Sequence, residues 1–308
     1  MSDYLALEDL AVDLMGLRLE HPLMNAAGTC KLVEEVNQLS RSATSAVLVG
    51  SITVDERPGN SGNVYWAGTM FSLNSLGLPN PGARYYHQHL PAMVARAHEA
   101  GKPLLVSVAG FSPEEYAELA GLALDRGADG VELNLGCPNV WHGDRQKRIA
   151  CFDPSLVAAI LQGVEERVGA EARVSVKISP FSDPCALVEV ARVIEEHRVA
   201  KAVTTTNTFP NAFTYDDSGQ PTISPGGGLA GLAGPALKPI GLGQVRQLRE
   251  VLPERIQVIG VGGIGSGRDV LEYLRAGATA TQIATAYLAR YERVFSTFLA
   301  EMVDLAQL

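Results

Sequence analysis

Short apolar runs alternate with amphipathic helical patterns along most of the chain, and this alternation constrains the fold more than any other feature. The runs are rich in Val, Ile and Leu with few polar interruptions, as expected for parallel strands covered on both faces. Segments such as Pro113–Gly127 place apolar residues at helical spacing after an acidic first turn, which predicts helices between the strands. The predicted strands are Leu23–Ala26, Ala46–Val49, Pro103–Val108, Gly130–Leu133, Arg173–Ile178, Lys201–Thr205, Gln257–Gly260 and Ala280–Ile283.

Strand–helix alternation of this kind predicts an α/β fold with a parallel sheet, and eight units favour a sheet closed into a (β/α)8 TIM barrel. A length of 308 residues is ordinary for such a barrel with inserted loops. No Ser- or Pro-rich linker, low-complexity tract or change of composition divides the chain. We therefore expect a single domain over residues 1–308.

Two segments are longer than ordinary loops, Asp55–Gly82 and Asn207–Pro239. Long structured insertions in a compact domain are usually functional. Each follows a predicted strand, and the loops that follow barrel strands form the C-terminal face, where barrel enzymes carry their active sites. Both insertions are therefore predicted to lie over that face.

Composition argues against several classes of function. The net charge is −9, which is unfavourable for a nucleic-acid or anionic-membrane partner. The four cysteines show no CxxC pair, and no His/Cys cluster has metal-ligand spacing. We expect reduced thiols, no metal site and a cytoplasmic protein without a membrane anchor. The N-terminus also carries acidic residues where a signal peptide would carry basic ones.

The glycine-rich sequence GVGGIGSG follows the seventh predicted strand, and Ala284–Thr285 follows the eighth. Glycines allow backbone N–H groups to approach an anion, and this part of a barrel often holds a phosphate group. Glycines are also common in ordinary turns. The position in the barrel favours a phosphate site.

Lys177 and Cys137 are the two side chains with the clearest chemical potential. Lys177 interrupts an apolar strand, which indicates an exposed strand tip, a Schiff-base lysine, or a cation fixed against the electron-rich edge of a flavin. Cys137 lies in a predicted turn between two asparagines; it is either a small buried apolar residue or a general base whose pKa is lowered by its surroundings. Asn74 and Asn207 add further amides, which suit a ligand with amide or imide groups.

Taken together, these stretches resemble the class 1 dihydroorotate dehydrogenases and the related pyrimidine-ring domain of dihydropyrimidine dehydrogenase. The resemblance runs from about Asn25 to Ala286. Its motifs are NAAG, SLNSLGLPNPG, NLGCPNV, VKISP, TTNT, GGLAGLAGPALKP, GVGGIGSG and GATATQIATA. Within this resemblance a cysteine base points to class 1, since class 2 enzymes place serine there.

The resemblance implies one FMN-binding barrel that oxidises dihydroorotate to orotate in pyrimidine biosynthesis. Cys137 would take the C5 proton while hydride passes from C6 to FMN. The implied substrate-binding residues are Asn74, Leu78, Asn134, Asn139, Asn207 and Thr208. The implied FMN-binding residues are Ala26, Ala27, Gly28, Ser51, Asn134, Lys177, Gly234, Gly262, Gly263, Ala284 and Thr285.

The resemblance further implies a mobile lid from Val140 to Asp153, whose charged run DRQKR is predicted to be a solvated tip. It also implies a homodimer. No dinucleotide-binding fingerprint and no cysteine cluster for an iron–sulfur centre are present in the sequence. We therefore expect electrons to pass to a separate acceptor, either a small molecule or a partner protein.

One position departs from the family pattern. Where the family has a lysine that contacts flavin and the substrate carboxylate, this chain has Gly50. This difference leaves three alternatives. Either Lys31 supplies the charge from a neighbouring loop, or the substrate is another small cyclic or unsaturated compound without that carboxylate, or the barrel is non-catalytic. A phosphate-binding aldolase or isomerase without flavin, with Lys177 as its Schiff-base lysine, is a further alternative.

Overall fold

The computed structural model describes residues 10–142 and 145–306. Its strands are β1 Val12–Leu14, β2 Leu17–Leu19, β3 Leu23–Asn25, β4 Val47–Ile52, β5 Tyr65–Ala67, β6 Ser72–Asn74, β7 Leu104–Val108, β8 Gly130–Asn134, β9 Trp141–His142, β10 Arg145–Gln146, β11 Val174–Ile178, β12 Ala200–Thr205, β13 Phe209–Ala212, β14 Ala230–Ala233, β15 Gln257–Val261 and β16 Ala280–Ile283. Its α-helices are α1 Val33–Ser40, α2 Gly82–Glu99, α3 Pro113–Asp125, α4 Pro154–Val168, α5 Pro184–Glu196, α6 Lys238–Val251, α7 Gly267–Arg275, α8 Thr285–Arg290 and α9 Arg293–Ala306.

The main sheet has eight parallel strands in the order β3-β16-β15-β12-β11-β8-β7-β4. The barrel prediction is therefore confirmed, and seven of the eight predicted strands agree with the structure to within one residue at either end. β4 runs three residues further than predicted, because the Gly50–Ser51 pair continues the strand instead of turning and Ile52 still pairs with Val108.

A side chain joins the two end strands of this sheet. Asn25 at the end of β3 donates from Nδ2 to the carbonyl oxygen of Leu48 at 2.8 Å and accepts from the Leu48 N–H at 2.9 Å. Its carboxamide therefore links β3 to β4 where no backbone ladder runs between them. Asn25 is fully buried, so this pairing also satisfies its polar atoms.

Four helices of the outer layer begin at side-chain caps. Ser112, Asp153, Asp183 and Ser266 each accept a backbone N–H of the first turn of the helix that follows, which satisfies one of the free donors at a helix start. Three of these helices, α3, α4 and α5, also begin with a proline, whose missing N–H costs nothing there.

The N-terminal end of the barrel is closed by the β1–β2 hairpin. Leu14, Met15 and Leu19 of the hairpin pack in one apolar cluster with side chains from six barrel strands. The Gln257 side chain ties the hairpin to β15, since it accepts from the Met15 N–H at 2.6 Å and donates to the Asp13 carbonyl at 2.7 Å. The N-terminal end of the barrel is therefore filled by apolar side chains.

The two long insertions meet over the opposite end. β5 and β6 come from the first insertion and β13 and β14 from the second, and together they form a four-stranded antiparallel sheet in the order β13-β14-β6-β5. The register places Gly231 opposite Asn74. The insertions therefore form one cover over the C-terminal face. None of the helices in the described part of the chain is both long and apolar enough to cross a membrane.

Candidate active site

Lys177 lies in a buried polar trio near the C-terminal end of the barrel. Its Nζ is 3.5 Å from Glu132 Oε1 and donates to Gln282 Oε1 at 3.3 Å, while Gln282 Nε2 donates to Glu132 Oε2 at 2.7 Å. The residues are only 5%, 1% and 1% exposed, respectively. An exposed strand tip, one of the sequence-based alternatives for Lys177, is therefore wrong. An ammonium group buried this deeply requires a counter-charge, which Glu132 provides.

Glu132 and Gln282 were missed by the sequence analysis. Both are polar residues inside runs that read as apolar strands, GVELN and ATQI. Lys177 was selected as a candidate because it interrupts an apolar strand in the same way. The signal was therefore present, but only the barrel closure brings side chains of β8, β11 and β16 together.

The predicted substrate asparagines form two hydrogen-bonded pairs. Asn139 Nδ2 donates to Asn74 Oδ1 at 2.9 Å, and Asn74 Nδ2 donates to the Gly231 carbonyl at 3.3 Å. In the second pair, Asn207 Nδ2 donates to Asn134 Oδ1 at 2.9 Å. These bonds fix the orientation of the amides before a ligand arrives, which lowers the entropy cost of binding.

The second pair continues into the barrel wall through hydroxyl groups. Asn134 Nδ2 donates to Ser51 Oγ at 2.9 Å, and Ser51 Oγ lies 2.8 Å from Ser107 Oγ. The Tyr116 hydroxyl donates to the Asn134 carbonyl at 2.8 Å. The position and orientation of Asn134 are therefore determined by residues of β4, β7 and α3.

Cys137 lies in the turn between the two asparagine pairs and is partly buried. Burial raises the pKa of its thiol, against the opposing effects of a backbone hydrogen bond at Asn139 and the positive charges of Lys147, Arg57 and Lys177. The general-base alternative for Cys137 depends on surroundings that lower this pKa, whereas burial raises it here. The nearby cations limit the rise but do not reverse it.

Two adjoining cavities open on this face. The first, of about 280 Å³, is lined by the glycine turn after β15, the start of α8, Gly234 and Lys177. The second, of about 150 Å³, is lined by Cys137 and the asparagines. Asn207, Thr208 and Ala284 border both. Every predicted substrate-binding and FMN-binding residue lines at least one of the two cavities.

The first cavity has a glycine turn and buried hydroxyls of the kind that bind a phosphate group. Gly262 and Gly263 have φ angles of +132° and +68°, and a Cβ on Gly263 would crowd the Lys238 nitrogen and the Gly234 carbonyl. Only glycine therefore fits the turn. The Thr206 and Thr208 hydroxyls are buried and have no hydrogen-bond partner among the described residues. Since buried polar groups are normally paired, these hydroxyls indicate a ligand.

The lid segment is anchored at its second half. Lys147 Nζ lies 4.2 Å from the centre of the Phe111 ring and donates to the Gly110 carbonyl at 3.2 Å, and Arg57 stacks on the same ring. The prediction of a solvated tip is therefore wrong for Lys147, although Arg145 and Arg148 are exposed as expected. Residues 143 and 144, which belong to the predicted lid and include the first residue of its charged run, lie outside the described residues.

Gly50 adopts a conformation that excludes a side chain. Its φ is +110°, and a Cβ there would collide with the carbonyl oxygen of Ser107. The residue is held by two backbone hydrogen bonds, from the Gly28 N–H to its carbonyl at 2.6 Å and from its own N–H to the Cys30 carbonyl at 2.8 Å. In this chain, therefore, the position where the family pattern has a lysine carries only backbone.

Comparisons with known proteins show which family the chain resembles. The family model described as Dihydroorotate dehydrogenase matches residues 9–305. Dihydroorotate dehydrogenase (fumarate) of Kluyveromyces lactis is 33% identical over 301 residues, which is 97% of this chain and 93% of that protein. The catalytic subunit of dihydroorotate dehydrogenase B (NAD(+)) of Methanopyrus kandleri is 36% identical over 281 residues, 89% of this chain and 84% of the relative.

A solved structure of Eimeria tenella DHODH in complex with ferulenol has a similar fold. The TM-score is 0.81 at 21% identity, and the match covers 97% of this chain and 84% of the other. At this identity the likeness concerns the fold alone.

Proposed function

This chain belongs to the dihydroorotate dehydrogenase family, and we propose that it is an FMN-dependent oxidoreductase that converts dihydroorotate to orotate. The observation that carries the proposal is the second cavity, where two oriented asparagine pairs surround Cys137. Amide groups that each donate and accept match the alternating C=O and N–H groups of a dihydropyrimidine ring.

The reaction removes a proton from C5 and a hydride from C6 of the ring, which leaves a C=C bond. Cys137 as the thiolate takes the C5 proton. The asparagine pairs hold the ring so that C5 faces the sulfur, and the partly buried turn limits access of water to it. FMN in the first cavity would supply the hydride acceptor.

The residues of the first cavity fit FMN. The turn at Gly262–Gly263, together with Gly234, Ala284 and Thr285, lines this cavity and would hold the phosphate of FMN. Thr206 and Thr208 offer unpaired hydroxyls. Lys177, held by Glu132 and Gln282, keeps a positive charge at the wall of the same cavity, where it favours a ligand that gains electron density.

The Schiff-base alternative for Lys177 is weakened by the same contacts. A Schiff-base lysine must have its Nζ free to attack a carbonyl carbon, whereas Nζ of Lys177 lies 3.5 Å from Glu132 Oε1 and donates to Gln282 Oε1 at 3.3 Å. A substrate without a carboxylate remains the second candidate, because Gly50 carries no side chain that could bind one.

The test is the visible spectrum of the purified protein under anaerobic conditions. We expect a yellow protein whose absorbance near the flavin maximum bleaches on addition of dihydroorotate. A colourless protein that takes up no FMN contradicts the proposal and favours a non-catalytic barrel. A yellow protein that dithionite bleaches, but dihydroorotate does not, favours the second candidate.

We further propose a cytoplasmic homodimer that passes electrons to a separate acceptor. Relatives named for fumarate and for NAD(+) match at similar identity, so both acceptors belong in the assay, together with quinone and oxygen. Sedimentation velocity tests the dimer, and a monomer at micromolar concentration would contradict it.

A further inference from the structure

The cavity around Cys137 has one charged side chain in its lining. Of the described residues that line it, only Lys31 is a lysine or an arginine, and none is an aspartate or a glutamate. The other polar lining groups are amides, hydroxyls, a thiol and backbone. A small cavity with a single cation and no acid favours an anionic group on its ligand.

Lys31 reaches this cavity because of the backbone around Gly50. The loop after β3 is hydrogen-bonded to Gly50 on both sides, through Gly28 and Cys30. Cys30 pairs with Gly50, and Lys31 is the next residue along the chain. The side chain of Lys31 therefore starts close to Gly50, where no side chain fits. The same geometry that excludes a lysine at position 50 therefore places one beside it.

The ammonium group of Lys31 has no internal partner in the described part of the chain, as no carboxylate lies within 4 Å of Nζ and no hydrogen bond engages it. Glu35, the carboxylate whose charge acts on Lys31, accepts the backbone N–H groups of Lys31 and Leu32 with its Oε2 at the start of α1. Partial burial lowers the pKa of Lys31, while Glu35 and Cys30 raise it. A half-buried cation of this kind gains from an anionic ligand.

The loop after β6 also contributes to the wall of this cavity. Leu76, Gly77 and Leu78 contribute to its wall, and their N–H groups have no acceptor within the described residues. Successive unpaired N–H groups favour anions.

We propose that Lys31 binds the carboxylate of the substrate and so determines specificity for a carboxylated ring over the same ring without it. This inference rests on the proposed function, because it names the substrate group that the Cys137 cavity recognises. In this proposal Lys31, from the loop after β3, is the residue that binds the carboxylate. No side chain at position 50 is then required to bind it.

The test compares two probes on the FMN-loaded protein: orotate, which carries the carboxylate, and uracil, which has the same ring without it. Lys31→Met should weaken orotate binding about ten- to a hundredfold, as expected for a lost charge-assisted hydrogen bond, and leave the Kd for uracil unchanged. Lys31→Arg should retain most of the orotate affinity. Titration calorimetry or the shift of the flavin spectrum measures both constants.

Lys102→Met is the matched control, because Lys102 precedes β7 at the other end of the barrel. This variant should bind both probes like the wild type. Lys31→Met should fold normally, because Glu35 binds the backbone N–H of residue 31 and not its side chain. Equal FMN content and Tm in all variants check this.

Two results would overturn the assignment of Lys31 and leave the proposed function intact. In the first, dihydroorotate reduces the wild-type protein, but Lys31→Met binds orotate as tightly as the wild type. In the second, Lys31→Met loses affinity for orotate and uracil equally. If wild-type protein is neither reduced by dihydroorotate nor binds orotate, the proposed function fails and the inference falls with it.

Discussion

The two ends of the barrel contrast in how they are filled. At the N-terminal end, the β1–β2 hairpin packs Leu14 and Leu19 onto apolar side chains of the strands, and burial of apolar area stabilises the fold. At the C-terminal end, the interior contains Glu132, Lys177 and Gln282, whose desolvation opposes folding. The chemical groups therefore lie at the C-terminal end of the barrel, and substitutions at the N-terminal end should affect stability alone.

The largest effect is expected at Cys137. Serine is a much weaker base than a thiolate, so Cys137→Ser should slow flavin reduction by dihydroorotate about 10²- to 10⁴-fold, with Tm and FMN content unchanged. Stopped-flow absorbance under anaerobic conditions measures the rate. Cys185→Ser, at an exposed cysteine of α5, is the control and should react like wild type. An unaltered rate in Cys137→Ser would remove this residue from the mechanism.

The pH dependence of the wild type follows from the same group. Burial raises the pKa of Cys137 above its ordinary value, so most of the protein carries the neutral thiol at pH 7. Since the base must be the thiolate, the reduction rate should rise with pH through that pKa and then level off. A rate that falls over this range would mean that the required form is protonated.

The next effect concerns the polar end itself. Glu132→Gln keeps the size of the side chain but removes the counter-charge of Lys177, which should lower the free energy of unfolding by about 3–5 kcal/mol. Adding Lys177→Met to Glu132→Gln should restore part of that loss, because no unpaired charge remains. Urea unfolding of cofactor-free protein measures both. Additive losses in the double variant would show that the two residues are not coupled.

The apolar end should respond in stability alone. Leu14→Ala removes a fully buried side chain and should cost about 2–5 kcal/mol of unfolding free energy. The Kd for orotate should not change in the folded protein. Leu17→Ala on the same hairpin, where the side chain is only partly buried, should cost less. A changed orotate affinity in Leu14→Ala would contradict the separation of the two ends.

Sequence periodicity was sufficient for the barrel, because eight buried strands each leave a local apolar run. The site was predicted less completely. Cys137 and the asparagines stand out in short motifs, but the partnership of Lys177 with Glu132 and Gln282 depends on barrel closure. The positive φ of Gly50 and the anchoring of Lys147 on Phe111 likewise depend on contacts between distant segments, which no local pattern records.

The smallest expected effect tests how far the cations of the lid act on the site. The positive charge of Lys147 lowers the pKa of Cys137 against the effect of burial. Lys147→Met should therefore move the midpoint of the pH–rate profile upward and reduce the rate at pH 7 about twofold, while the plateau at high pH stays the same. Lys147→Arg keeps the charge and should keep the midpoint. A lower plateau in Lys147→Met would instead show that the contact with Phe111 positions the turn that carries Cys137, so that the lid acts through geometry and not through charge.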